Sequence, residues 1–256
     1  MTESAEKKTP GAAAPCPRGP WIERPVFIWG MQKTGSSLLQ SLIDGHPSLV
    51  VYPVERHIKY YIGRSSKETE AELRRRYLLG ERRGQTPNRL RVTVAKILAG
   101  EKAGLETLPH EAVVAAFDPS GYANDLERTM GAPLAQPADL FRREIASFFA
   151  NLKQPPREPA AWVFKMVGGD PSLGNVFLSQ FPGGRIIYIV RDPRGGASSR
   201  LKAWQKNGKR ADEKNLLAFM LKYRGHYRWL ASLLAGGRMT GCWYCAMKIW
   251  WQIPKL

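Results

Sequence analysis

The sequence reads as a single α/β domain: a mostly parallel sheet flanked by helices. Short β-prone apolar runs alternate with helical segments along most of the 256 residues. That alternation calls for right-handed crossovers, which lay successive strands parallel. Two of the runs, at 26–29 and 185–190, pass through a tight turn directly into a helix, which places two loops at strand carboxyl ends.

The elements follow in order. Residues 1–24 are rich in Ala, Gly, Pro and charge, with no hydrophobic signal core, and read as a disordered leader before a domain spanning 25–240. Val26-Phe27-Ile28-Trp29 is a strand ending at Gly30, and apolar positions 38, 39, 42 and 43 mark a helix beyond it. His46-Pro47 closes that helix, and residues 49–52 form a second short strand. Residues 67–79 have a charged, exposed helical composition, whereas 80–137 mix Gly, Pro and weak helical pieces. Residues 138–152 make an amphipathic helix with Leu140, Phe141, Ile145, Phe148, Phe149 and Leu152 on one broad face. Trp162-Val163-Phe164 is a strand leading into Lys165, and 172–181 is a helix. The run at 185–190 is a strand, and Pro193 suits the first turn of the helix after it. A long helix covers 213–234, and no internal repeat is visible.

Composition narrows the function. With 39 Lys and Arg against 22 Asp and Glu, the formal charge of +17 favours polyanionic partners. The runs 74–76, 82–83 and 206–210 read as solvated faces or loops. No aromatics interleave with them and no nucleic-acid module is recognisable, which argues against specific nucleic-acid binding. No apolar stretch approaches the ~18 residues of a membrane span. Three cysteines give neither a disulfide framework nor a zinc pattern, so a reducing cytoplasmic location is expected, with no metal.

Two segments carry the chemistry. Gly30-Met31-Gln32-Lys33-Thr34-Gly35-Ser36-Ser37 joins a strand to a helix N-terminus, whose free N–H groups and dipole suit a phosphate. Lys33 adds a full charge; Thr34, Ser36 and Ser37 add hydroxyls. The same stretch would also serve as a plain strand-to-helix turn with a surface lysine. A triphosphate loop would set lysine just after its second glycine, where this chain has Ser36. The second segment, Arg191-Asp192-Pro193-Arg194, follows a strand, and Ser199 lies about two turns into the next helix. Arg191 and Asp192 would otherwise form a surface ion pair.

Together, in this order, the segments resemble the sulfotransferases that use 3′-phosphoadenosine-5′-phosphosulfate. The resemblance covers roughly residues 25–240 and implies a P-loop-like parallel sheet. It implies that Gly30, Lys33, Thr34, Gly35, Ser36 and Ser37 form the 5′-phosphosulfate loop. Arg191 and Ser199 would then hold the 3′-phosphate. The implied co-substrate is that anionic nucleotide. The acceptor is open among glycan, lipid, small alcohol and protein, with 80–137 as the acceptor-side insertion.

Sulfuryl transfer needs cations at the departing phosphate and a base for the acceptor's proton. Lys33 is the first candidate for the departing group. Lys165 matches a lysine the family often places beside it, although a strand-end surface lysine would read the same way. The animal cytosolic enzymes carry a histidine two positions beyond that lysine, and here Val167 stands there. Heparan-sulfate-like and bacterial types use a glutamate after the second strand. This chain reads Val54-Glu55-Arg56-His57, which makes Glu55 the candidate base and His57 its reserve. His226 on the long helix reads as half-buried and structural; His46 and His110 sit in turn-like surroundings. A small-molecule kinase would need a lysine-bearing triphosphate loop and a magnesium carboxylate. A non-catalytic basic protein would bind polyanions in a salt-sensitive way without nucleotide selectivity.

Residues 241–256 read as an aberrant tail, because two of three cysteines and three of eight tryptophans fall there. Back-translated with permitted codons and read from the third base, the tail yields Leu-Leu-Val-Leu-Arg-Tyr-Glu-Asp-Leu. That resembles the segment which follows the long helix in sulfotransferases. A frameshift near Thr240 is therefore expected, with loss of a strand and exposure of apolar sheet surface.

Overall fold

The computed structural model describes residues 19–55, 69–79, 89–104, 110–206, 208, 212–235 and 242–246. Five parallel strands form one sheet: β1 (Pro25–Gly30), β2 (Leu49–Glu55), β3 (Ala161–Val167), β4 (Arg185–Val190) and β5 (Cys242–Ala246). Their order is β2-β3-β1-β4-β5. The helices are α1 (Ser36–Ile43), α2 (Glu70–Leu79), α3 (Arg89–Leu98), α4 (His110–Ala116), α5 (Pro119–Met130), α6 (Asp139–Ala150), α7 (Leu173–Gln180), α8 (Pro193–Lys206) and α9 (Glu213–Ala235). None is long and apolar enough, among the described residues, to cross a membrane.

Strand alternation divides the core into two faces. Phe27, Trp29, Trp162, Phe164, Met166, Ile186 and Tyr188 join one large buried cluster with side chains of α5, α6, α7 and α9. Its centre is aromatic: Phe27 stacks on Phe164 at 4.9 Å, and Trp29 meets Trp229 of α9 at 4.9 Å. Each such ring contributes about 1.5–3 kcal/mol by leaving water. Ile28, Val163 and Ile189 face the other way, against Leu39 and Ile43 of α1. Lys165 shares the parity of Val163 and so belongs to the α1 face.

Topology fixes where a crevice opens. The chain leaves β1 toward β2 on one side, and leaves the adjacent β4 toward β5 on the other. In open α/β sheets such a switch point is where ligands bind, beyond the strand carboxyl ends.

Several expectations are corrected. The leader does not run to residue 24: Pro20–Glu23 form a 3₁₀ turn with Trp21 and Ile22 buried. Trp21 packs on Phe149 at 4.8 Å, and the Trp162 indole donates to the Ile22 carbonyl at 2.9 Å. Of the expected apolar face of α1, Leu39 and Ile43 are partly buried, while Leu38 and Leu42 are exposed at 51% and 71%. His110 begins a helix rather than lying in a turn. The region 80–137, where described, is largely helical, and Tyr122, Leu126 and Met130 line one buried face of α5. Strand β2 runs past residue 52 to Glu55, and β3 past Phe164 to Val167. Finally, Cys242–Ala246 pair with β4 from Ile186↔Cys242 to Val190↔Ala246, so that edge of β4 is covered by the tail itself.

Gly174 of α7 marks a tight helix-to-core contact. A Cβ there would overlap the Trp229 ring and stand 3.0 Å from Trp29. Gly174→Ala should cost about 1–3 kcal/mol by overpacking. A thermal melt reads it directly, and an unchanged midpoint would contradict this packing.

Candidate active site

The turn between β1 and α1 is shaped by two close approaches. A Cβ on Gly30 would lie 2.7 Å from the Ile189 carbonyl and 2.9 Å from Thr34 Oγ1, so only glycine lets β1 end this near β4. The Gly30 carbonyl accepts from Gly168 N at 2.8 Å. Lys33 then takes a left-handed conformation (φ 67°), as does Gly35 (φ 102°). For a residue with a Cβ this costs about 1–2 kcal/mol.

The loop hydroxyls divide their labour in a way the sequence did not reveal. Thr34 is buried, and its Oγ1 donates to the Met31 carbonyl at 2.8 Å, stapling the loop from inside. Ser36 is also buried, while Ser37 and Lys33 face outward. Gly35 precedes α1 with no side chain to cap it, which leaves the first N–H groups of the helix suited to an anion.

Lys165 is 2% exposed, so it is no surface lysine. Its Nζ donates to Ser37 Oγ at 2.6 Å, beneath the first turn of α1. Glu55 reaches the same place through an irregularity in β2. The register with β3 shifts between Val51 and Glu55, around Pro53, and sets Glu55 opposite Lys165. Such a kink is tolerated because β2 is an edge strand. Glu55 Oε1 accepts from Val167 N at 3.3 Å, which orients the carboxylate at the end of β3.

Arg191 follows β4 and bridges the crevice. Its guanidinium donates to the Lys33 carbonyl at 2.6 Å, joining two segments that lie 158 residues apart. The alternative reading, a surface pair of Arg191 with Asp192, is not what forms. Asp192 instead binds Arg194 at 2.7 Å, and that contact holds its carboxyl below the usual range. Ser199 is half-buried on α8, eight positions past Arg191. The structure thus brings Gly30, Lys33, Thr34, Gly35, Ser36, Ser37, Glu55, Lys165 and Arg191 to one end of the sheet. His57 lies outside the described residues.

Three side chains of α9 also reach this end, and sequence reasoning missed two of them. Tyr223 Oη donates to the Gln32 carbonyl at 3.2 Å, and Tyr227 Oη to the Arg191 carbonyl. His226 is fully buried, contacting Gly169 O through Nε2 at 3.0 Å and Tyr188 Oη through Nδ1 at 2.6 Å. A carbonyl only accepts, so Nε2 carries the proton and Tyr188 donates to Nδ1. The legible signal was polar aromatics at 223, 226 and 227, one face of a helix. A groove of 410 Å³ lies beside them, lined by Pro193, Met220, Arg224, Arg228 and Ala231 with the two tyrosines.

The family profile described as "Sulfotransferase family" matches residues 25–236. The chain belongs to the sulfotransferase family. Among solved structures, the sulfotransferase STF9 from Mycobacterium avium matches at 14% identity and a TM-score of 0.44. That match covers 88% of this chain and 59% of the mycobacterial protein, well under two thirds of its length. A search of curated proteins finds no match. Sulfuryl transfer is the chemistry of that family.

In this member of the family, burial pushes the pKa of the His226 imidazole below the ordinary 6.5 and favours its neutral form. The unfolded chain then binds the extra proton between the folded pKa and 6.5. Stability is therefore fully present above that window and falls as pH drops through it. Urea unfolding from about pH 7.5 to about pH 5.5 should show this loss, with a weaker dependence in His226→Gln. Identical pH dependences in the two proteins would rule the account out.

Proposed function

We propose that the chain transfers a sulfuryl group from 3′-phosphoadenosine-5′-phosphosulfate to a hydroxyl or amine acceptor. The observation that carries this reading is the Arg191 bond to the Lys33 carbonyl, which joins the two segments read as phosphate-binding at the switch point. Family membership supports the reaction class.

In this reading the acceptor oxygen or nitrogen attacks sulfur as the bond to the bridging phosphate oxygen breaks. The electron pair departs with the 5′-phosphate, and the acceptor's proton goes to Glu55, or to His57 in reserve. Lys33 and the N–H groups of α1 stabilise the negative charge gathering on the departing phosphate. Lys165 adds a second cation below the loop, held through Ser37. Arg191 and Ser199 hold the 3′-phosphate and so select the nucleotide. We extend the proposal to residues 241–256 as the product of an altered reading frame. The alternate reading supplies Leu-Leu-Val-Leu-Arg at the positions of β5, so both frames offer a strand there. Sequencing the coding DNA decides that point, and codons incompatible with the alternate reading reject it.

Calorimetric titration with adenosine 3′,5′-bisphosphate should show one site, with ATP and magnesium binding far more weakly. Arg191→Ala should weaken the bisphosphate by about 10–100-fold, as expected for a charge-assisted bond. A preference for ATP, or no effect of Arg191→Ala, would refute the assignment. Glu55→Gln should instead lower turnover by about 10²–10⁴-fold and leave bisphosphate affinity nearly unchanged. Turnover close to that of the unaltered protein would remove Glu55 as the base.

A further inference from the structure

We infer that Tyr223 and Tyr227 are positioning residues, through which α9 holds the strained anion loop in its binding conformation. One face of α9 hydrogen-bonds the chain as it leaves each of the three central strands. Tyr223 meets the Gln32 carbonyl beyond β1, His226 the Gly169 carbonyl beyond β3, and Tyr227 the Arg191 carbonyl beyond β4. In the sheet these strands are neighbours, in the order β3-β1-β4.

The consequence falls on Lys33. Its left-handed φ of 67° is set by the two peptide planes on either side of its Cα. The plane before it carries the Gln32 carbonyl, held by Tyr223 at 3.2 Å. The plane after it carries the Lys33 carbonyl, held by Arg191 at 2.6 Å. Both planes are therefore pinned, and an unfavourable conformation persists where its surroundings over-determine it. In a trans peptide the N–H points opposite the C=O. Fixing these two carbonyls toward α9 and Arg191 thus aims the N–H groups of Lys33 and Thr34 the other way.

Tyr223 is itself placed with little freedom. It is 2% exposed and packs with Met31 of the loop and Phe219 one turn earlier on α9. Its hydroxyl lies against Gly196 of α8, where any Cβ would overlap it. Tyr227 acts one step further back, because it holds the backbone from which the Arg191 side chain reaches the loop. The two tyrosines therefore govern different phosphates. Tyr223 bears on the loop assigned to the 5′-phosphate, and Tyr227 on the segment assigned to the 3′-phosphate.

The inference rests on the nucleotide reading for its ligand, so the test has one arm that needs no nucleotide. Tyr223→Phe removes one hydroxyl and keeps the ring. Hydrogen exchange of the free protein should speed about fivefold at residues 31–37, the loss of one net hydrogen bond. Tyr227→Phe should do the same at 191–196. In the ligand arm, Tyr223→Phe should weaken adenosine 3′,5′-bisphosphate about fivefold and spare adenosine 3′-monophosphate, with the melting temperature nearly unchanged. Gly196→Ala, which displaces the same hydroxyl from the α8 side, should reproduce the exchange change at 31–37. Unchanged exchange in both loops overturns the inference. So does an equal loss for both ligands accompanied by a lower melting temperature. If the unaltered protein ignores the bisphosphate, the nucleotide reading falls, and the exchange arm alone still decides whether the tyrosines hold the loops.

Discussion

The hydrogen bond from the Arg191 guanidinium to the Lys33 carbonyl is the constraint on which the site's geometry depends. It closes the crevice between β1 and β4, the adjacent strands whose onward connections diverge. Without it, two anion-type segments would sit on separate loops with independent freedom. With it, the cation of one segment orients the backbone of the other. Lys33 donates charge through its side chain and accepts structure through its carbonyl.

The same end of the sheet depends on β-strand parity. Lys165 faces α1 because it alternates with Phe164 and Met166, which are consigned to the aromatic core. A lysine in that row is buried at the foot of a helix N-terminus, where the dipole is positive and disfavours a cation. The Ser37 hydroxyl beside it accepts a hydrogen bond from its ammonium, and the register shift near Pro53 brings Glu55 opposite it. The shift therefore has a local electrostatic logic: it sets a carboxylate beside the cation.

Much of this arrangement was legible in the residues. Gly30 and Gly35 marked the turn, Pro193 marked the start of α8, and Arg191 stood where a strand-end cation belongs. The illegible parts share a physical cause, since each depends on contacts distant in sequence. Nothing local distinguishes Thr34, which turns its hydroxyl inward to Met31, from Ser37, which faces out. Lys165 and Glu55 were read as lying at or beyond strand ends, yet both belong to strands. The half-exposed face of α1 deceived for the opposite reason, as Leu38 and Leu42 fit the helical period and still point to solvent. Trp21 and Ile22 were hidden by the Pro- and Gly-rich composition around them, although their side chains pack on the core.

Net charge misleads in a related way. The sequence total of +17 implies a broadly basic surface, but several arginines are committed to structure. Arg142 binds Glu23 and the Gln180 carbonyl and lies over the Phe181 ring at 4.5 Å. Arg143 holds carbonyls of Thr129, Ala132 and Pro133, fixing the turn between α5 and α6. Arg74, within a run that reads as solvated, pairs with Glu70 and donates to the Ala132 carbonyl. These arginines keep their charge but not their freedom to reorient, so a charge total does not show where an anion would bind. What distinguishes the crevice is placement: Lys165 is held at the first turn of α1 through Ser37, and Arg191 at the Lys33 carbonyl. Under the proposed function, cations held at fixed positions select an anion by geometry, which a diffuse basic surface cannot do.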